Sequence, residues 1–273
     1  MSADPKHPYH LVDPSPWPLV TAFSALLMAW GGIVYMHQEQ SFTFVIGSIA
    51  VVLSSVFWWR DVVKESQSGI YHNKVVQIGL RYGMLLFIAS EVMFFAAWFW
   101  AFFDVAFYPG ANSPELTGRI ESLGGVFPPE EIELINPFGI PLLNTLILLA
   151  SGGTVTWAHH ALKIGDKRNF MIFLLLTVIL GAIFTGFQVL EYMHAEFSID
   201  EGIYPSTFYM ATGFHGAHVL IGSVFLLVCF FRGLRDQFKP EKHLGFEFAA
   251  WYWHFVDVVW LFLFAFVYWW ASI

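Results

Sequence analysis

The stretch RYGMLLFIASEVMFFAAWFWAFF, from Arg81 to Phe103, is apolar over a length that crosses a lipid bilayer and holds one carboxylate, Glu91. Because a helix rises about 1.5 Å per residue, Glu91 lies about 15 Å from Arg81 along the helix axis. With Arg81 at one membrane edge, the carboxylate is near the middle of a hydrocarbon core about 30 Å thick. An ionised glutamate is costly at that depth. We therefore expect Glu91 to be protonated, paired, or facing a cleft lined by protein or lipid.

The composition of the whole chain is that of a membrane protein. Of its 273 residues, 57% are hydrophobic, 19% aromatic and 12% charged, whereas soluble domains carry roughly 25% charged residues. The sequence therefore predicts an integral membrane protein formed by one polytopic domain, residues 1–273. The single cysteine, Cys229, excludes an intramolecular disulfide framework and argues against a thiolate metal site.

Seven apolar segments each approach or exceed the roughly 20 residues that a spanning helix needs. They run approximately over residues 16–36, 42–59, 76–107, 141–162, 170–194, 205–231 and 245–271. Their side chains do not alternate with period two, which argues against a β-barrel. The predicted fold class is therefore an all-α membrane protein with seven transmembrane helices, in which one long outer loop, 108–140, joins the third and fourth.

The distribution of charge supports seven spans. When the thirteen Lys and Arg residues are placed on alternating sides of the membrane, twelve fall on one side and only Arg119 on the other. The positive-inside rule then predicts an N-terminus in the cytoplasm or matrix and a C-terminus outside. The opposite side is acidic and suits a basic soluble partner.

Three histidines inside the apolar segments admit two interpretations. His215 and His218 lie three residues apart on one helix face, where they could ligate a metal or approach a haem, and His254 has the same spacing to Asp257. Alternatively, these groups form hydrogen bonds between helices, which hold together a bundle that gains no hydrophobic effect within lipid. The sequence favours hydrogen bonding, because no histidine pair has the spacing of a bis-haem cytochrome.

The segment that joins the second and third spans carries cations, hydrogen-bond donors and aromatic rings at headgroup depth. Its candidate lipid-binding residues, together with one from the end of the sixth span, are Trp58, Trp59, Arg60, Lys64, Glu65, His72 and Arg232. Such a group suits the phosphate of a phospholipid. Ordinary interfacial anchoring accounts for the same residues equally well. Both interpretations stay open from chemistry alone.

Glu91 has three candidate roles: a proton relay, a carboxylate facing a lipid-filled cleft, or a neutral acid that donates one interhelical hydrogen bond. A relay needs further ionisable or hydroxyl groups, and only Ser90 lies nearby on the same helix, so the sequence argues against a conduit. The chain also lacks a nucleotide-binding loop, a nucleophile triad and a zinc signature. No catalytic residue and no metal ligand are therefore predicted.

Several long motifs resemble one known family. They are HLVDPSPWP (10–18), WWRDV (58–62), GLRYGMLLFIASEVMFF (79–95), PLLNTLILLASG (141–152), VTWAHHA (155–161), ATGFHGAHVLIGS (211–223) and GFEFAAWYWHFVDVVWLFLF (245–264). The chain resembles the subunit 3 family of the aa3-type cytochrome c oxidases, in the haem–copper oxidase superfamily. The motifs extend over nearly the whole chain.

The resemblance implies a V-shaped two-plus-five arrangement. Helices 1–2, at about 16–59, would form one arm and helices 3–7, at about 76–271, the other, with phospholipid in the cleft between them. It also implies a subunit without its own cofactor, in a complex that passes electrons from cytochrome c to oxygen and pumps protons. Haem a and copper would belong to partner subunits 1 and 2, in a bacterial or mitochondrial inner membrane, with no nucleic-acid partner.

The resemblance further implies roles for single residues. Glu91 matches a buried carboxylate that reacts with carbodiimides, and Trp58, Trp59, Glu65, His72 and Arg232 match positions that line the lipid cleft or hold headgroups. Where relatives commonly carry Arg before Glu65, this chain has Lys64, which keeps the charge but loses the bidentate fork.

Two other functional classes are alternatives. One is a self-contained haem or metal enzyme that uses His215, His218 and His254. The other is a transporter whose substrate site is Glu91, against which the lack of internal repeats and broken helices argues.

Overall fold

The computed structural model describes residues 9–110, 125–130 and 132–273. Residues 111–124 and 131 of the predicted loop 108–140 therefore lie outside the described residues, and these include Arg119 and several of the acidic residues on that side.

Seven helices account for nearly all of the regular structure in these ranges. They are α1 (Trp17–Gln38), α2 (Phe42–Ser68), α3 (Lys74–Phe107), α4 (Ile140–Lys163), α5 (Lys167–His194), α6 (Ile203–Leu234) and α7 (Leu244–Ser272). Each is long and apolar enough to cross a membrane, and the only β-type pairing among the described residues is an isolated bridge between Lys239 and Lys242. The prediction of an all-α membrane protein with seven spanning helices is confirmed.

Helix α2 differs most from its prediction. The sequence placed its end at the aromatic and charged residues near position 59, but the helix continues to Ser68. It ends where Gly69 adopts a left-handed conformation, with φ of 72°, which glycine accepts without steric cost. A fall in hydropathy marks where a helix leaves the membrane, whereas its end depends on a residue that interrupts the hydrogen-bonding pattern.

Helix α7 changes its winding near its C-terminus. It is α-helical from Leu244 to Phe262, π-helical from Leu263 to Trp269, and ends in a 3₁₀ turn, Trp270–Ser272. The hydropathy pattern carries no signal for this change, because all three windings keep the same apolar composition.

The chain divides into two compact units, Met1–Tyr82 and Gly83–Ile273. In the first, α1 and α2 approach so closely that a side chain at Gly31 or Gly47 would collide with the backbone of the other helix. The Trp17 indole also donates a hydrogen bond of 2.6 Å to Asp61 Oδ2, which ties the start of α1 to α2. Small residues permit such close packing between membrane helices.

The second unit is centred on Trp253 of α7, whose side chain is fully buried. Its indole N–H donates to Ser151 Oγ of α4 at 2.9 Å. Gly181 of α5 and Gly222 of α6 lie against the ring, and a Cβ built on them would come within 2.6 Å and 2.9 Å of its carbons. Four helices therefore meet at one tryptophan, and two glycines provide the space for it.

Candidate functional site

Glu91 of α3 forms a hydrogen bond with His218 of α6. The carboxyl Oε2 lies 2.8 Å from His218 Nε2, and the two side chains are 22% and 11% exposed. The other ring nitrogen, Nδ1, donates to the carbonyl of Phe214 at 2.7 Å. Since a carbonyl can only accept, Nδ1 carries a proton.

This arrangement leaves two possible positions for the proton between Glu91 and His218. Either a protonated Glu91 donates to a neutral imidazole, or an ionised Glu91 accepts from an imidazolium. Both forms have zero net charge. The rings of Phe95 and Tyr252 lie 4.9 Å and 6.3 Å from the His218 ring, measured between centroids. An apolar surrounding of this kind favours the uncharged form, because separating charge there costs desolvation energy.

A second acid–imidazole pair joins α4 and α7. His254 Nδ1 lies 3.4 Å from Asp257 Oδ2, and His254 Nε2 lies 3.1 Å from Thr156 Oγ1. The hydroxyl of Thr156 donates to the carbonyl of Gly152 at 2.9 Å, so its oxygen accepts the proton of Nε2. At 3.4 Å this contact between a carboxyl group and a ring nitrogen is longer than the 2.8 Å hydrogen bond of the first pair. Asp257 is buried, whereas the side chain of His254 is 44% exposed.

His215 is fully buried on α6 and donates from Nε2 to the carbonyl of Val256 on α7, at 3.1 Å. The three candidate haem or metal ligands are therefore engaged in bonds between or within helices, which is the hydrogen-bonding interpretation that the sequence favoured. Across the described ranges, no group of three or more His, Cys, Asp or Glu side chains is arranged to hold a metal ion. The alternative of a self-contained haem or metal enzyme is not favoured.

Glu191 of α5 is a third buried carboxyl group. Its Oε1 accepts from the hydroxyl of Tyr268 at 2.6 Å and from Gln188 Nε2 at 3.0 Å. His194, one turn further along α5, donates to the carbonyl of Leu190. A tyrosine 77 positions away along the chain has no local sequence signal that links it to this carboxyl.

Most of the predicted lipid-binding residues lie on the last turns of α2. Trp59, Arg60 and Lys64 are exposed and Trp58 is half-buried. Lys64 Nζ forms an exposed ion pair of 3.3 Å with Asp61 Oδ1, which contributes little to stability. The structure thus places two cations and two indole rings on the last turns of α2, and lipid binding by them stays a prediction.

Glu65 and His72 contact each other, and His10 joins them. Glu65 Oε1 lies 2.7 Å from His10 Nε2 and 3.4 Å from His72 Nε2. The ring of His10 packs at 4.4 Å from that of Tyr71. A carboxylate between two imidazoles holds the N-terminal segment against the segment after α2. His10 was missing from the predicted site, because it stands 55 positions before Glu65 in a loop without periodicity.

Arg232 belongs to the second unit, on the last turn of α6. Its Nε donates to Gln237 Oε1 at 3.1 Å, and its guanidinium carbon lies 4.5 Å from the centroid of the Phe238 ring. These contacts orient the guanidinium and order the segment that follows α6. A lipid contact at Arg232 stays a prediction.

Comparisons with known proteins agree with the resemblance. The family model described as cytochrome c oxidase subunit III matches residues 7–272. A protein named cytochrome c oxidase subunit 3 from Prototheca wickerhamii is 54% identical over 269 residues, which cover 98% of this chain and 99% of that protein. Proteins with the same name from Marchantia polymorpha and Tragelaphus oryx are each 52% identical; the matches cover 100% and 97% of this chain and 100% and 98% of the relatives. The chain therefore belongs to the cytochrome c oxidase subunit III family and is a subunit of the respiratory oxidase.

Proposed function

We propose that this subunit is a non-catalytic core component of the complex that passes electrons from cytochrome c to oxygen and pumps protons. It packs against the catalytic subunit, holds structural phospholipid and protects that subunit during turnover. It also supports proton uptake at its basic side. Haem a and copper belong to subunits 1 and 2. The N-terminus lies on the cytoplasmic or matrix side.

The observation that supports the non-catalytic role is that histidines in the membrane-spanning helices contact other groups of this chain through their ring nitrogens. Both ring nitrogens of His218 and both of His254 contact other groups within this chain. An imidazole ligates a metal through a nitrogen lone pair, so ligation would break these contacts. Glu91 in its uncharged form then serves as a hydrogen-bond donor that ties α3 to α6.

The test of this role is purification of the tagged subunit from its native membrane in a mild detergent. We expect haem a and copper to co-purify on other polypeptides, and the subunit released from the complex to retain neither. A Soret band that stays with the released subunit would contradict the proposal and return His215, His218 and His254 to the role of ligands.

The lipid role rests on the segment at the end of α2. Arg60 and Lys64 present charge beside exposed indole surface, a combination that suits a phosphate at headgroup depth. Glu65, held by His10 and His72, positions this segment, since a carboxylate repels a phosphate. Lys64 acts as a point charge without a bidentate fork.

The lipid test removes both cations. We expect the Arg60→Ala, Lys64→Ala double variant to retain less phospholipid in the purified complex, measured by lipid mass spectrometry. The matched control is Lys163→Ala with Arg168→Ala, two cations at helix ends of the second unit. Equal lipid loss in both variants would mean that Arg60 and Lys64 are ordinary interfacial anchors.

A further inference from the structure

Three buried polar side chains of α4 and α5 have atoms without a hydrogen-bond partner among the described residues. Asn144 of α4 is fully buried, and neither its Oδ1 nor its Nδ2 has a partner. On α5, Gln188 Oε1 and Glu191 Oε2 are also without one, in residues that are 4% and 3% exposed. Buried polar groups in folded proteins are nearly always hydrogen-bonded, either to protein or to ordered water. These four atoms therefore need a partner that the side chains around them do not supply.

The packing of α4 against α5 brings the four atoms to the same level. The two helices are antiparallel neighbours, and Thr154 Oγ1 of α4 lies 2.8 Å from Thr177 Oγ1 of α5. Asn144 is ten residues before Thr154, and Gln188 is eleven residues after Thr177. Because both counts run the same way along the pair, the two amides differ in height by one residue's rise, about 1.5 Å. Glu191 is one turn beyond Gln188, whose Nε2 donates to its Oε1 at 3.0 Å.

Helix α7 contacts both of the other helices at this level. The Tyr268 hydroxyl donates to Glu191 Oε1 at 2.6 Å and accepts from Gln188 Nε2 at 3.4 Å. The Trp260 indole donates to the hydroxyl of Thr145, the second residue of the Asn-Thr pair on α4, at 2.8 Å. The rings of Trp260 and Tyr268 lie 5.7 Å apart between centroids, and both residues are buried. The polar atoms thus lie in the interior of the bundle, where α4, α5 and α7 meet.

The four atoms form a balanced set of donors and acceptors. Burial at membrane depth favours an uncharged Glu191, and since its Oε1 already accepts two hydrogen bonds, the acid proton is on Oε2. Glu191 Oε2 and Asn144 Nδ2 then donate, while Asn144 Oδ1 and Gln188 Oε1 accept. Water both donates and accepts, so it satisfies this combination. A metal cation does not, because it offers nothing to the two donors.

We propose that Asn144, Gln188 and Glu191 form a binding site for ordered water between α4, α5 and α7, in which water links the asparagine amide to the glutamate carboxyl group. A water-mediated hydrogen bond is nearly as favourable in enthalpy as a direct one, so the bound water joins α4 to α5 as a side-chain contact would. The site is independent of the proposed function, because it lies wholly within the interior of this chain.

The first test is a density map of the wild-type complex at a resolution that shows ordered water. We expect a density peak at hydrogen-bonding distance, about 2.7–3.2 Å, from both the Asn144 amide and Glu191 Oε2. A map that resolves ordered water elsewhere in the complex but shows none here would overturn the proposal. Direct contact of the Asn144 amide with Glu191 Oε2 would overturn it as well, and either result leaves the proposed function standing.

The second test depends on the sign of a stability change. Asn144→Leu replaces the amide with an apolar side chain of similar size. In a hydrated site this leaves the water and the polar atoms of Gln188 and Glu191 without their partner, and we expect the unfolding temperature of the complex to fall by at least about 2 °C. In a dry site the leucine removes two unpaired polar atoms, which is neutral or stabilising. An unchanged or higher unfolding temperature would therefore overturn the proposal.

The matched control is Thr185→Val on α5. The Thr185 hydroxyl donates to the carbonyl of Gly181 in its own helix, so its loss leaves no side chain of another helix unpaired, and we expect little change in the unfolding temperature. The haem content of each preparation shows whether the complex has assembled. If the leucine variant does not assemble, the density map decides, because it is measured on the wild-type protein.

Discussion

Two carboxyl groups in the membrane-spanning part of the chain each lie beside a histidine ring nitrogen. Glu91 pairs with His218 across helices, and Asp257 pairs with His254 one turn away. In each pair the second ring nitrogen donates to an oxygen, the carbonyl of Phe214 or the hydroxyl of Thr156, so one proton between the carboxyl group and the first ring nitrogen gives the pair zero net charge whichever partner carries it. Four ionisable groups are thereby placed in a low-dielectric region without a net buried charge.

The Glu91→Gln variant tests which partner carries the proton. If Glu91 is the donor, the glutamine amide also donates to His218 Nε2, and we expect assembly, electron transfer and thermal stability close to wild type. Glu91→Leu removes the donor and leaves the imidazole acceptor unsatisfied, at a cost of about 1–3 kcal/mol. The measurements are the yield of the complex, its turnover and its unfolding temperature.

The comparison of the glutamine and leucine variants shows whether Glu91 acts as a neutral hydrogen-bond donor or as part of an ion pair. A glutamine variant that is as unstable or inactive as the leucine variant would show that an ion pair is needed at this site. In that case Glu91 would again be a candidate for proton transfer.

The residues of these sites could be predicted from the sequence only in part. Asp257 and His254 are three positions apart, so their pairing follows from helical spacing. Glu91 and His218 are 127 positions apart, and the sequence around either residue does not identify the other as its partner. The same holds for Glu191 and Tyr268, and for His10 and Glu65.

At the scale of the element, Asp166 is the N-cap of α5. Its carboxylate accepts from the backbone N–H and the side-chain amide of Asn169. These hydrogen bonds stabilise the charged form and hold the pKa of Asp166 below its usual value of 3.8. A depressed folded-state pKa contributes stability that is complete above the unfolded-state pKa and is lost as the pH falls through the folded-state pKa.

We therefore expect Asp166→Ala to lower the unfolding temperature at neutral pH, with the difference from wild type shrinking as the pH falls below about 4. Asp166→Asn is the matched control, since asparagine also caps helices but carries no titrating group. Thermal unfolding of the purified complex at several pH values measures both. An alanine deficit that stays constant down to the lowest pH would contradict this role of the carboxylate.

Glycines inside the helices provide a second comparison at this scale. A Cβ at Gly181 would lie 2.6 Å from a carbon of Trp253 and 2.8 Å from Ser223 Oγ, whereas one at Gly186 would meet nothing within 4 Å. Alanine is otherwise preferred to glycine in a helix by roughly 0.5–1 kcal/mol. We expect Gly186→Ala to be neutral or stabilising and Gly181→Ala to be destabilising, as measured by thermal unfolding. Equal effects of the two changes would show that α5 does not pack on Trp253 as described.

The helices themselves follow closely from the sequence. Six of the seven predicted segments end within three residues of the helix ends, because long apolar runs bounded by charge and proline are unambiguous. The exception is α2, which continues as a polar helix after its apolar run ends. Which glycines make close contacts was not predictable, since Gly181 and Gly186 differ only in the direction they face.

At the scale of the whole molecule, the described residues hold many polar groups within the seven membrane-spanning helices of a respiratory oxidase subunit. Among the described residues, these groups bond mainly to one another. Many of these polar side chains thus hold the helices of this chain together.

Native mass spectrometry of the complex released gently from its own membrane tests the central claim most directly. The account predicts that this chain is released together with a larger polypeptide carrying haem and copper, that phospholipid is retained, and that the chain separated in the gas phase has the mass of the polypeptide with lipid only. A chain that is released alone and carries its own haem or metal would contradict it.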